Sequence, residues 1–125
     1  MILRRFSDGH HDVISRCILS SGETHLFSSS KDRTIIMWNT ITGEIVDQFR
    51  GHGKPINHFV KSWDDQFLYS CSNDNRVIKW NTVTGELVDE FSVCKNVSTC
   101  ILNEKYNHLY FGVESGAVKV WDFET

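Results

Sequence analysis

Serine, histidine and aspartate, the side chains of hydrolytic triads, occur twice in this chain at one spacing. His10, Ser28 and Asp32 recur 42 residues later as His52, Ser70 and Asp74. A carboxylate that orients a histidine lets it take a proton from a serine hydroxyl, so each set has the ingredients of acyl transfer. Two features argue for a structural role instead. Each set travels with a tryptophan, Trp38 in the first and Trp80 in the second, and no G-x-S-x-G nucleophile turn is present. No catalytic residue is therefore assigned, and the serines are expected to be buried.

Other chemistry-bearing residues are scattered. The six histidines (His10, His11, His25, His52, His58 and His108) fall at unrelated points of the chain, without the spacing of a metal site. The four cysteines, Cys17, Cys71, Cys94 and Cys100, form no C-x-x-C pair. That usage fits a reducing compartment, cytosol or nucleus. Cys17 and Cys100 each lie 21 residues before a tryptophan, where the second unit has Phe59. The equivalence predicts core positions, because free cysteine packs as a small hydrophobe. The run from Gly112 to Gly116 lacks the lysine of a phosphate loop and reads as a turn. No cofactor is expected.

Composition supports a globular protein: 40% hydrophobic, 23% charged and one proline in 125 residues. The net charge of −3 is spread without a basic stripe, which disfavours direct nucleic-acid binding. No stretch reaches the roughly 20 apolar residues of a membrane span, and none resembles a signal peptide.

The elements that carry these residues come from an internal repeat. Residues 9–50 lie over 51–92 without a gap, and Trp38, Trp80 and Trp121 mark the units. Matches include Gly9-His10 with Gly51-His52, Trp38-Asn39-Thr40 with Trp80-Asn81-Thr82, and Thr42-Gly43-Glu44 with Thr84-Gly85-Glu86. β-branched and aromatic runs between turn residues predict short strands. They fall at residues 13–19, 25–30, 34–39 and 44–49, then at 56–61, 67–72, 77–81 and 87–91. A third unit, 93–125, has three, at 97–102, 108–112 and 117–122, and residues 2–6 read as a further, outer strand. Apolar residues on both faces, as in Ile35-Ile36-Met37-Trp38, suit a sheet packed between two others. The reading is one all-β region over residues 1–125.

A period near 42, four strands per unit, an early Gly-His and a closing Trp-Asp or Trp-Asn resemble the WD repeat. The resemblance covers the whole chain and implies a β-propeller of three four-stranded antiparallel blades, a scaffold for protein–protein interaction within a larger complex. It also implies a buried hydrogen-bonded tetrad in each complete repeat: His10, Ser28, Asp32 and Trp38, then His52, Ser70, Asp74 and Trp80. Ser30 and Ser72 lie two residues on, on the same strand face, and are the alternatives for the serine. The third repeat keeps only Trp121; Cys94, Phe111 and Ser115 stand where the histidine, serine and aspartate would be. A half-satisfied buried network costs more than none, so packing should hold this blade and leave it the loosest.

By the same resemblance, partner contacts fall on the top loops, at His11, Asp12, Lys31, Arg33, Lys54, Asn73, Asn75 and Arg76. Lys31 and Arg33, flanking Asp32, suit an acidic peptide. A narrower resemblance is to the i subunit of eukaryotic translation initiation factor 3. It rests on the early Gly-His, the Trp63-Asp64 turn and a Val97-Ser98-Thr99-Cys100 strand without a preceding Gly-His.

Three blades do not close a ring. Two arrangements would cover the ends: a homodimer closing a six-bladed ring, each copy lending residues 2–6 to its partner's third blade, or missing blades from a longer chain. The degenerate third repeat favours the second.

Overall fold

The computed structural model describes residues 1, 3–93 and 97–123. Eleven strands form three antiparallel sheets in chain order. The first holds β1 (Ile14–Leu19), β2 (His25–Ser30), β3 (Thr34–Asn39) and β4 (Ile45–Arg50). The second holds β5 (Ile56–Lys61), β6 (Phe67–Ser72), β7 (Arg76–Asn81) and β8 (Leu87–Ser92). The third has only β9 (Thr99–Asn103), β10 (His108–Gly112) and β11 (Val118–Asp122). This is an open arc of three propeller blades.

Turn chemistry sets the strands in register. Arg33 and Asn75 take positive φ in the β2–β3 and β6–β7 turns. Asp32 and Asp74 cap those turns, each accepting from the backbone N–H two residues on. Register shifts recur at equivalent points, Met37/Trp38 and Lys79/Trp80, so the repeat is repeated down to its bulges.

Blades stack face to face. Phe27, Ile35 and Phe49 of the first blade meet Ile56, Phe59, Leu68, Ile78 and Trp80 of the second. Tyr69, Cys71, Val77 and Phe91 on the far side of the second meet Cys100, Leu109 and Phe111 of the third. Period-2 alternation thus sends the residues of β6 and β7 into two different cores. Of the third strands, β3 and β7 are covered on both faces, as expected. β11 is not, since among the described residues no further blade packs on it: Val118 is 72% exposed, while its counterparts Ile35 and Val77 are fully buried.

Two expectations are corrected. The strand foreseen at residues 2–6 does not form. Residues 3–6 join no sheet, the third blade has three strands, and Ile2 lies outside the described residues. The segment lies on the first blade instead, where Phe6 stacks on Trp38 with ring centroids 5.6 Å apart. Phe49 meets Trp80 at a similar distance, 5.8 Å, but edge to face. Phe6 thus stands beside the first blade's tryptophan as Phe49, on the outer strand β4, stands beside the second blade's. Cys17 was the second expectation. It pairs with Ser28 as Phe59 does with Ser70, yet Cys17 is exposed and Phe59 buried. Core status at this position comes from a neighbouring blade, and among the described residues no blade packs on the first blade's outward face.

Candidate functional site

The tetrad residues are brought together in both complete blades. In the first, the Trp38 indole N–H donates to Ser28 Oγ at 2.8 Å. Ser28 Oγ lies 2.6 Å from His10 Nε2, and His10 Nδ1 lies 3.0 Å from Asp32 Oδ2. The second blade repeats the chain at 2.8, 2.7 and 2.8 Å through Trp80, Ser70, His52 and Asp74. A carboxylate only accepts, so the histidine Nδ1–H donates to it; Nε2 is then free to accept the serine proton. The serine oxygen has its proton committed to histidine and a lone pair to the indole. Ser28 and Ser70 are 1% and 0% exposed. The order of the groups is that of a hydrolytic triad, but a buried serine held from two sides cannot meet a substrate.

Ser30 and Ser72 do different work. Ser30 Oγ donates to the Asp12 carbonyl, and Ser72 Oγ to those of Lys54 and Pro55. Each also accepts from the N–H of its tetrad aspartate. They tie the top loops to the turns, while Ser28 and Ser70 serve the tetrads.

Electrostatics stiffen this corner. Burial would raise the Asp32 carboxyl, but hydrogen bonds from Thr34, the His11 N–H and His10 outweigh it and hold it at about 2. Asp74 is likewise lowered against the effect of burial, chiefly by His52. Burial pushes His52 below the ordinary histidine range, and the attraction of Asp74 does not fully offset it. His52 is therefore neutral at neutral pH. The glycine before each histidine is required by close approach: a Cβ on Gly9 would sit 2.6 Å from the Trp38 ring, and one on Gly51 2.8 Å from Trp80.

The third blade solves the same place with hydrocarbon. Phe111 pairs with Cys100 as Ser70 pairs with Phe59, and it is buried. Trp121 stacks on Phe91 with centroids 4.0 Å apart and planes 2° from parallel. Cys94, at the histidine's place, lies outside the described residues.

The top loops display the contact candidates unequally. His11, Asp12, Lys31, Arg33, Lys54 and Asn73 are exposed. Asn73 accepts from Asn57, and Asn75 is half-buried with its backbone in the turn. Arg76 is engaged: it pairs with Asp74 at 3.1 Å and Glu90 at 2.7 Å and donates to the Gly51 carbonyl. Among the described residues, Lys31, Arg33 and Lys54 have no ion-pair partner.

Some features were not foreseen from sequence. A cavity of about 460 Å³ opens beside Arg16, His58, Tyr110 and Val118, next to the third blade's uncovered face. The Arg16 Nε is buried in it without a hydrogen-bond partner. Burial, and then the Arg16 charge, push His58 down. Nothing in the spacing of Arg16 and His58 signals this meeting, which depends on the stacking of two blades. Among the described residues, no three or more His, Cys, Asp or Glu are placed to hold a metal ion, and no helix is long and apolar enough to cross a membrane.

Comparison with known proteins agrees with this architecture. Residues 2–39 and 43–81 match the family described as WD domain, G-beta repeat, and the match stops short of the degenerate third repeat. No curated protein matches the sequence. Among solved structures the chain is similar to that of U3-55K, with a TM-score of 0.85 and 22% identity over 93% of this chain. It spans 38% of the length of that structure. The matched repeats cover more than half of the residues, and the chain belongs to the WD-repeat family.

Proposed function

We propose that this chain is a non-catalytic platform that recruits an acidic segment of a partner protein through the top of its first two blades. The observation that carries the reading is the β2–β3 turn. Asp32 is consumed by four hydrogen bonds within the fold, so it fixes the backbone without neutralising its neighbours. Lys31 and Arg33 on either side, with Lys54 in the β4–β5 loop, stand exposed and without an ion-pair partner among the described residues. Charges of this kind steer association and set specificity.

The test is fluorescence anisotropy with a fluorescein-labelled glutamate-rich peptide. The Lys31→Glu/Arg33→Glu double variant should lose binding and keep its melting temperature. Unchanged binding would sink the proposal.

The platform also needs neighbours for its outer faces, from further blades of a longer chain or from a second copy closing a six-bladed ring. Within this reading, we propose on the narrower resemblance that the chain is an i-subunit-like scaffold of a translation-initiation assembly. The Trp63-Asp64 turn, with its indole exposed, supports it. Co-sedimentation with initiation-factor complexes is expected; migration apart from them would exclude the assignment.

A further inference from the structure

The five described turns at the opposite end of the blades form one surface. They span residues 20–24, 40–44, 62–66, 82–86 and 104–107. Ser21 donates through its N–H to Asp65 and through its hydroxyl to the Trp63 carbonyl. The Trp63 N–H in turn donates to the Glu104 carboxylate at 2.7 Å. Thr40 and Thr82 tie the remaining turns to the Glu23 and Asp65 carbonyls. The surface is complete across the second blade and its joints with both neighbours, away from the arc's uncovered faces.

Its chemistry is one-sided. These turns carry Glu23, Glu44, Asp64, Asp65, Glu86 and Glu104 against Lys105 alone. Lys61, at the end of β5, is paired with Asp65 at 2.8 Å. Apolar tips stand among the carboxylates: Ile41, Trp63, Val83 and Tyr106 are all exposed, Trp63 by 79%. Trp63 is a departure from the repeat, since its counterparts are Ser21 and Glu104. Its backbone is fixed to both neighbouring blades, yet its indole makes no ring contact or hydrogen bond among the described residues.

Beside it opens a cavity of about 290 Å³ walled by Asp64, Glu104 and Asn107, with Tyr69 and Lys79 lining it too. Lys79 lies over the Phe67 ring at 4.3 Å and is also near the rings of Tyr69 and Phe123. It offsets one of the two carboxylates and leaves the cavity negative. The Tyr69 hydroxyl reports that field: burial, then Glu104 and Asp64, push it up to about 12.

We propose that this turn face docks a cationic, arginine-bearing polypeptide segment, with Trp63 as its anchor. A guanidinium suits both partners offered here, the face of an indole and paired carboxylates. Tryptophan fixed on a rigid backbone and ringed by polar groups has the anatomy of an interface hot spot. A negative surface repels nucleic acid and anionic lipid, which leaves a basic protein segment as the occupant.

The test is anisotropy titration with a fluorescein-labelled ten-residue peptide alternating arginine and leucine. The intact chain should bind it, and added salt should weaken binding. Trp63→Ala should weaken it at least tenfold with the melting temperature nearly unchanged, because the indole is largely exposed. Asp64→Asn/Glu104→Gln should weaken it and flatten its salt dependence. The Lys31→Glu/Arg33→Glu variant should bind as the parent does, which separates this surface from the top-face proposal. No binding, or equal binding by Trp63→Ala, would overturn the inference.

Discussion

The second and third blades place a tryptophan at the same register point and secure it by opposite means. Trp80 is 1% exposed and donates to a serine inside a four-member network. Trp121 is 38% exposed, stacked flat on Phe91, with no hydrogen-bond partner for its indole among the described residues. A buried polar network stabilises only when every member is satisfied. The second blade keeps them all; the third has replaced serine with Phe111 and fills the space with rings. The network also holds the top turn, because Asp74 accepts from the Gly53 and Arg76 backbone N–H groups as well as from His52. The third blade has Ser115 at that point and gives up this tie.

The widest expected gap between the two blades comes from deleting the tryptophans. Trp80→Ala removes a fully packed side chain and should cost about 3–5 kcal/mol. Trp121→Ala, already partly in water, should cost about 1–2 kcal/mol. Urea unfolding midpoints would measure both, and equal losses would break the contrast.

Next comes the aspartate. Asp74→Ala strands the His52 Nδ1–H and two backbone N–H groups and should cost about 2–3 kcal/mol by the same assay. Ser115→Ala, at the equivalent place in the third blade, should stay within about 0.5 kcal/mol.

A smaller effect is expected with pH. Burial lowers His52 in the folded state, so its neutral form favours folding. That contribution is full above the unfolded value of 6.5 and is lost as pH falls through the lower folded value. Asp32 behaves likewise at lower pH: its share is full above 3.8 and is lost as pH falls towards about 2. Melting temperature should therefore drop in two stages on acidification. A single loss near pH 4 would remove the histidine from the account.

The parts of the fold legible in the sequence were those fixed locally. Strands β2, β3, β5, β6 and β10 fall where alternation and turn residues put them, and the others differ by one or two residues at an end. The tetrad side chains were legible because two copies at one spacing cannot be read as a single catalytic site. Ser28 against Ser30 was not, since both lie on one strand face and only the meeting with tryptophan and histidine separates them. What failed depended on a neighbour. Cys17 and the residues 2–6 strand take their roles from a blade on the far side, which no residue in their own turn specifies. Trp63 was noticed in the sequence only as part of a turn, and its exposure came from the structure.

Indole N–H hydrogen exchange, followed by NMR, tests the contrast between the blades most directly. The Trp38 and Trp80 indole protons, each donated to a buried serine at 2.8 Å, should exchange slowly. Those of Trp121 and Trp63 should exchange at once. Equal protection of Trp80 and Trp121 would contradict the claim that a satisfied polar network holds the tryptophans of the first two blades and ring stacking that of the third.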